Sequence, residues 1–146
     1  MSFPDVSAPI RAALLAEATV IANLSAYAGS YPVFTRRPVP PDAPERVIMV
    51  SPDVSVDDAD GIDDQRPRLV RDITIYGLNK NVTEYRVVET LARAVRDLFH
   101  RNRHAITVTD WAVVDIVTRG PMPAPVDDDS EVARLVTLTI QLAKKN

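Results

Sequence analysis

Along Leu69-Val-Arg-Asp-Ile-Thr-Ile-Tyr-Gly77 the side chains alternate with a period of two, so Leu69, Arg71, Ile73 and Ile75 share one face and Val70, Asp72, Thr74 and Tyr76 the other. This predicts a strand. After a polar turn at 77–81 the period changes, and Tyr85, Val88, Leu91, Ala92, Val95, Leu98 and Phe99 recur at three-and-four spacing, which predicts an amphipathic helix over about 83–101 covering a sheet. Upstream, Ser7 followed by Pro9 marks a helix start, and Ile10, Leu14, Ala18, Ile21 and Leu24 form the stripe of a first helix running to about Tyr27, with Gly29 ending it. The proline-rich stretch 30–46 reads as an extended crossing with few hydrogen bonds of its own. Arg46-Val-Ile-Met-Val-Ser51 is a short strand, its unbroken apolar run predicting cover on both faces.

Two further strands follow at 111–119 and 131–142. In the second, Val132, Val136, Leu138, Ile140 and Leu142 share a face that Arg134 interrupts near its start. The predicted fold is α+β: a small mixed, mainly antiparallel sheet of about four strands with two helices packed on it, in the order α-β-β-α-β-β. At 146 residues the expectation is one domain over 1–146. Two long polar arms interrupt it, at 53–65 and 120–130. Both are poor in bulky apolar side chains and cannot stabilise themselves by burial, so they are expected to be mobile in a free subunit.

Composition narrows the function. A formal net charge of −3 provides no basic face for wrapping duplex DNA. No apolar run approaches the about 20 residues that span a bilayer, and Met1-Ser-Phe-Pro-Asp5 lacks the basic start of a secretory signal. The chain has no cysteine, hence no disulfide or thiolate ligand. Clustered aspartates around Gly61 suggest calcium, but with Gly61 as the sixth position of an EF-hand loop Val56 falls on the first ligand and Pro67 on the bidentate glutamate. The acidic loop therefore reads as solvated charge. His100 and His104 stand four apart, but Arg101 and Arg103 between them would repel a cation, so this basic cluster reads as charge closing a helix C-terminus. There is no phosphate loop, nucleophile elbow or zinc motif, and the reading is non-enzymatic, with no catalytic, cofactor or metal residues assigned.

What remains are surfaces. Tyr31, Phe34 and Trp111 are candidate interface anchors, because large aromatics concentrate at interface centres, and Arg36 and Arg37 are candidate partner contacts on an extended arm. Asp57, Asp58, Asp60, Asp63 and Asp64 in one arm, and Asp127, Asp128 and Asp129 in the other, are candidate channel or docking residues. Strand edges are expected to carry contacts between subunits.

The opening helix with Ala8-Pro-Ile-Arg-Ala-Ala-Leu-Leu15, the proline-bearing crossing, the Val47-Ile-Met-Val50 strand, and Arg71-Asp-Ile-Thr-Ile-Tyr-Gly77 leading into the 84–99 helix resemble the tail terminator, or tail-completion, proteins of long-tailed phages, which also occur in gene-transfer particles. The resemblance covers most of the chain and departs from the family in the two acidic arms. It implies a structural virion protein at the head-proximal end of the tail, made in the host cytoplasm. Such a subunit forms a hexameric ring that stops tube polymerisation and joins the tail tube protein to the head-tail connector. DNA passes its lumen without specific binding, and neither a membrane nor a cofactor is involved; the acidic arms of this chain, facing the channel or the docking surface, are expected to discourage phosphates from sticking. Two other readings remain open: another neck, head-completion or minor tail protein of the same particle, and a small metal-dependent hydrolase using the acidic loop.

Overall fold

The computed structural model of the chain describes residues 4–36, 39–51, 66–78, 81–126 and 130–145, together with the backbone of 55–58. Its elements are α1 (Ser7–Ala16), α2 (Ala18–Ile21), β1 (Val33–Phe34), β2 (Val47–Val50), β3 (Ser55–Asp58), β4 (Pro67–Leu78), α3 (Val82–Phe99), β5 (Trp111–Pro123) and β6 (Glu131–Lys144). The strands form one mixed sheet in the order β1-β2-β4-β6-β5, with β3 also paired to β4. Only β1 and β2 run parallel. The class is the expected α+β, with six strands and three helices among the described residues where about four and two are expected.

Each extra element has a physical cause. The first helix stops at Glu17, whose extended backbone (φ −91°, ψ 113°) separates α1 from α2. That break shifts the apolar phase, so Val20 and Leu24 are buried whereas Ala18 is exposed and Ile21 half-buried. Asp5, not Ser7, supplies the N-terminal acceptor, taking the Ser7 N–H at 2.9 Å. Gly29 caps no helix. It is the second corner of a tight turn in which Ala28 (φ 49°) and Gly29 (φ 78°) are both left-handed and Tyr27 and Ser30 exchange two backbone hydrogen bonds. The crossing at 30–46 is not purely a connector, because Val33 and Phe34 pair with Ile48 and Met49.

The acidic arm at 53–65 contains a strand. Ser55–Asp58 runs along the same edge of β4 that β2 occupies further on, with Asp57 opposite Arg68 and Asp58 opposite Pro67. Likewise 120–123 extends β5, so the second arm begins only at Ala124, whose N–H still bonds the Ala133 carbonyl. Residues 59–65 and 127–129, where the expected mobility would be judged, lie outside the described residues.

α3 starts on Asn81, whose side chain accepts the Glu84 N–H at 2.8 Å, and it lays Val88, Leu91, Ala92, Val95 and Phe99 on the sheet. The sheet answers with Ile48, Val50, Leu69, Ile73, Ile75, Ile116, Val136, Leu138, Ile140 and Leu142, all fully buried. Each such side chain contributes about 1.5–3 kcal/mol by leaving water. Tyr85 departs from its predicted stripe and is 38% exposed. Arg134 of β6 lies against it, 4.8 Å from the ring centroid, and is ion-paired to Glu89, which is how the cation on the apolar face of β6 is accommodated. Gly77 permits the closest approach of β4 to α3: a Cβ there would stand 2.6 Å from Val88 Cγ2. The opposite face of the sheet carries no helix among the described residues and presents Val70, Asp72, Thr74, Thr137 and Thr139, with Thr137 Oγ1 donating to Asp72 at 2.8 Å.

Candidate functional site

The candidate interface residues fall at two places. Tyr31, Phe34 and Arg36 line a groove of about 390 Å³ beside β1, together with Arg11 and Tyr27. Tyr27 and Phe34 meet edge to face with centroids 5.9 Å apart, and the Tyr27 hydroxyl donates to Asp42 at 2.8 Å. That hydrogen bond first, then desolvation and the negative charge, raise the Tyr27 pKa above its ordinary 10.0. Arg37 lies outside the described residues. Trp111 begins β5 at the other edge of the sheet, four strand spacings of about 4.8 Å away. It is 6% exposed, with Lys144 Nζ 4.9 Å from its ring centroid.

The acidic candidates divide by end. Asp57 and Asp58 have described backbone in β3, while Asp60, Asp63, Asp64, Asp127, Asp128 and Asp129 lie outside the described residues. Their attachment points are nonetheless fixed. Residues 59–65 follow β3 where β4 begins, and 127–129 precede β6 where β4 finishes. Ten register steps of about 3.4 Å separate Arg68↔Gln141 from Leu78↔Glu131, so the two arms spring from opposite ends of the sheet, about 34 Å apart.

At Val33 on β1 and at Ile116 and Thr118 on β5 the outward edge groups are satisfied by the chain itself. Because the Pro32 carbonyl faces β2, accepting from Ile48 N–H, the Val33 groups face outward. The Val33 N–H turns back to the Tyr31 carbonyl, and its own carbonyl accepts from Arg11 Nε at 2.9 Å. On β5 the Ile116 carbonyl accepts from Arg101 N–H at 2.7 Å, and Thr118 N–H donates to His100 Nδ1 at 3.3 Å while its hydroxyl lies 2.9 Å from the same nitrogen. Arg101, left-handed at φ 56°, makes this turn and is ion-paired to Asp115. His100 ends α3 as expected, its N–H donating to the Arg96 carbonyl, and with Arg101 it also covers part of the β5 edge.

Sequence reasoning missed a second groove, about 370 Å³, where β5 begins and β6 ends. Trp111 and Val113 line its floor, and Arg103, His104 and Lys145 its rim. Only composition hinted at it, in Arg101-Asn-Arg-His104 and the closing Lys144-Lys145, which 40 residues of sequence keep apart and the β5–β6 pairing brings together. Among the described residues no group of three or more His, Cys, Asp or Glu converges to hold a metal, and no helix is long and apolar enough to cross a membrane. The arrangement offers contact surfaces with aromatic floors and charged rims.

No family model and no curated protein matches the chain. Among solved structures it is similar to a chain from the virion of a native gene transfer agent particle, with a TM-score of 0.71 and 16% identity, covering 97% of this chain and 96% of that one. The two share a fold over essentially their whole lengths.

Proposed function

We propose that this chain is a structural virion protein of a phage-like particle, acting as the tail terminator: a hexameric ring at the head-proximal end of the tail tube that stops tube growth and joins the tube to the head connector. The full-length likeness to a gene transfer agent virion chain carries the reading, since it spans both chains with little left over. The geometry supports it in kind. A joining ring needs two ends that can meet different partners, and here two loops of different sequence are attached at opposite ends of one sheet. One loop can then address the tube and the other the connector, with DNA passing through the lumen of the ring without specific binding.

The test is to image particles from a strain lacking the gene. Tails of uncontrolled length together with unattached heads support the terminator role. Tails of normal length on heads that leak DNA assign the chain to another layer of the neck, and normal particles remove it from the junction altogether.

A further inference from the structure

One section of the β5 edge is held by a group that can take up a proton. Thr118 N–H donates to His100 Nδ1 at 3.3 Å, and the Thr118 hydroxyl lies 2.9 Å from the same nitrogen. A backbone N–H can only donate, so Nδ1 must present its lone pair and the ring hydrogen must sit on Nε2. The end of α3 places the ring there: His100 leaves the helix in an extended conformation (φ −64°, ψ 119°) while its own N–H still donates to the Arg96 carbonyl at 2.8 Å. Ile116 is held by other chemistry. Its N–H donates to Asp115 Oδ1 at 2.9 Å, and its carbonyl accepts from Arg101 N–H at 2.7 Å. The charged groups on the elements packed around the ring are Arg96 and Asp97 in the last turn of α3, paired with each other; Arg101, Arg103 and His104 in the turn that follows; and Asp115 and Arg119 on β5, with Asp115 paired to Arg101. Among the described residues no carboxylate bonds either ring nitrogen, so none is in place to hold the ring once it is charged.

We propose that His100 is a proton-operated latch on the β5 edge: the neutral ring holds the Thr118 N–H, and the imidazolium releases it. In the imidazolium both ring nitrogens carry hydrogen, so Nδ1–H meets the Thr118 N–H donor to donor. The Thr118 hydroxyl can reverse and accept from Nδ1–H, but the backbone amide has no such option. The side chains therefore stay in contact while the amide is set free. Ile116, whose partners are not imidazoles, stays closed, and Pro121 further along the strand has no N–H to offer. The opening is confined to Thr118, which is 8% exposed and has no other acceptor at hand among the described residues. The sheet thus shows an unpaired donor on this edge only when the ring is charged.

Nitrogen NMR and amide hydrogen exchange on the full chain test it, across the range of about pH 5 to 8 in which histidine ordinarily changes charge. At the upper end His100 should show a bare Nδ1 and a hydrogen on Nε2. As the pH falls, protection of the Thr118 amide, corrected for the pH dependence of intrinsic exchange, should drop by about three- to tenfold, the factor that one hydrogen bond supplies. The drop should follow the titration of the His100 ring in the same spectra, with protection at Ile116 unchanged. His100→Asn puts an amide oxygen near the place of Nδ1 and His100→Ala puts nothing there; neither can titrate, so protection at Thr118 should be flat with pH in both. His104→Asn should leave the wild-type profile as it is. Thermal melts at both ends of the range check that every variant is folded. Constant protection at Thr118 while the His100 ring titrates, a hydrogen on Nδ1 of the neutral ring, a pH dependence that survives in His100→Asn, or one that disappears in His104→Asn overturns the proposal.

Discussion

Gly77→Ala probes the joint between β4 and α3. The backbone there is ordinary, so alanine meets no dihedral penalty, and relief of glycine's excess chain entropy favours it by about 0.5–1 kcal/mol. Against this stands the new Cβ, 2.6 Å from Val88 Cγ2, 3.2 Å from Glu84 Oε1 and 3.8 Å from Val132 Cγ1. Val88 is fully buried in the middle of α3, where a β-branched side chain has one strongly preferred rotamer, so the methyl cannot swing aside and the helix must lift. Overpacking of this kind costs about 1–3 kcal/mol, leaving Gly77→Ala net destabilising by about 0.5–2 kcal/mol. For a chain of this size the melting temperature should fall by about 2–6 °C. Val88→Ala alone should cost about 2 kcal/mol for two buried carbons and the space they leave. The double variant is the decisive measurement, because the methyl introduced by Gly77→Ala then occupies part of the volume vacated by Val88. Urea unfolding of all four proteins should give a coupling of about 1–2 kcal/mol, with the double variant more stable than Val88→Ala plus Gly77→Ala taken additively. Additive effects, or a neutral Gly77→Ala, would refute the claim that glycine is required there by the approach of the helix.

Three other perturbations follow from the same geometry. His100→Ala removes the acceptor for Thr118 N–H and hydroxyl at a buried edge position, so stability should drop by about 1 kcal/mol in denaturant titration and concentration-dependent light scattering should rise as the β5 edge opens; neither change would mean that the cap is incidental. Glu89→Leu leaves Arg134, whose side chain is 12% exposed, without its carboxylate and should cost about 1–2 kcal/mol, less than a fully buried pair because Glu89 is 28% exposed; adding Arg134→Met should recover most of it. The Tyr27 phenol, with its pKa raised by the hydrogen bond to Asp42, contributes stability that is fully present below pH 10.0 and lost as pH rises through the raised value; the advantage of wild type over Tyr27→Phe should therefore be flat up to that pH and shrink beyond it, and an advantage that grows with pH would contradict the assignment.

The elements legible in the sequence are those whose side chains alone declare the period. β4 alternates cleanly, β6 alternates around a single arginine, and α3 spreads an apolar stripe over five turns, so each lies within about two residues of its observed span. β3 could not be read that way. Ser55-Val-Asp-Asp58 has the composition of coil and pairs because β4 extends past the end of β2 and offers an unused edge. β1 is two residues long and owes its pairing to β2, and the break at Glu17 lies inside a stretch whose propensities are helical throughout. The surfaces were half legible for the same reason. Tyr31, Phe34 and Arg36 are neighbours in sequence and remain so in space, whereas Arg103 and Lys145 meet only through strand pairing that no local signal contains.

The capped points on β1 and β5 bear on how the chain avoids indiscriminate strand pairing. An exposed backbone ladder recruits any extended segment, whatever its side chains, and so cannot distinguish a proper neighbour from a misfolded one. In this chain that indiscriminate chemistry is satisfied internally at Val33 by Arg11 and at Ile116 and Thr118 by the turn after α3. At these points association is left to side-chain surface, where charge and shape must both match before contact is rewarded. An extended segment that meets the sheet at these points finds no open ladder to join.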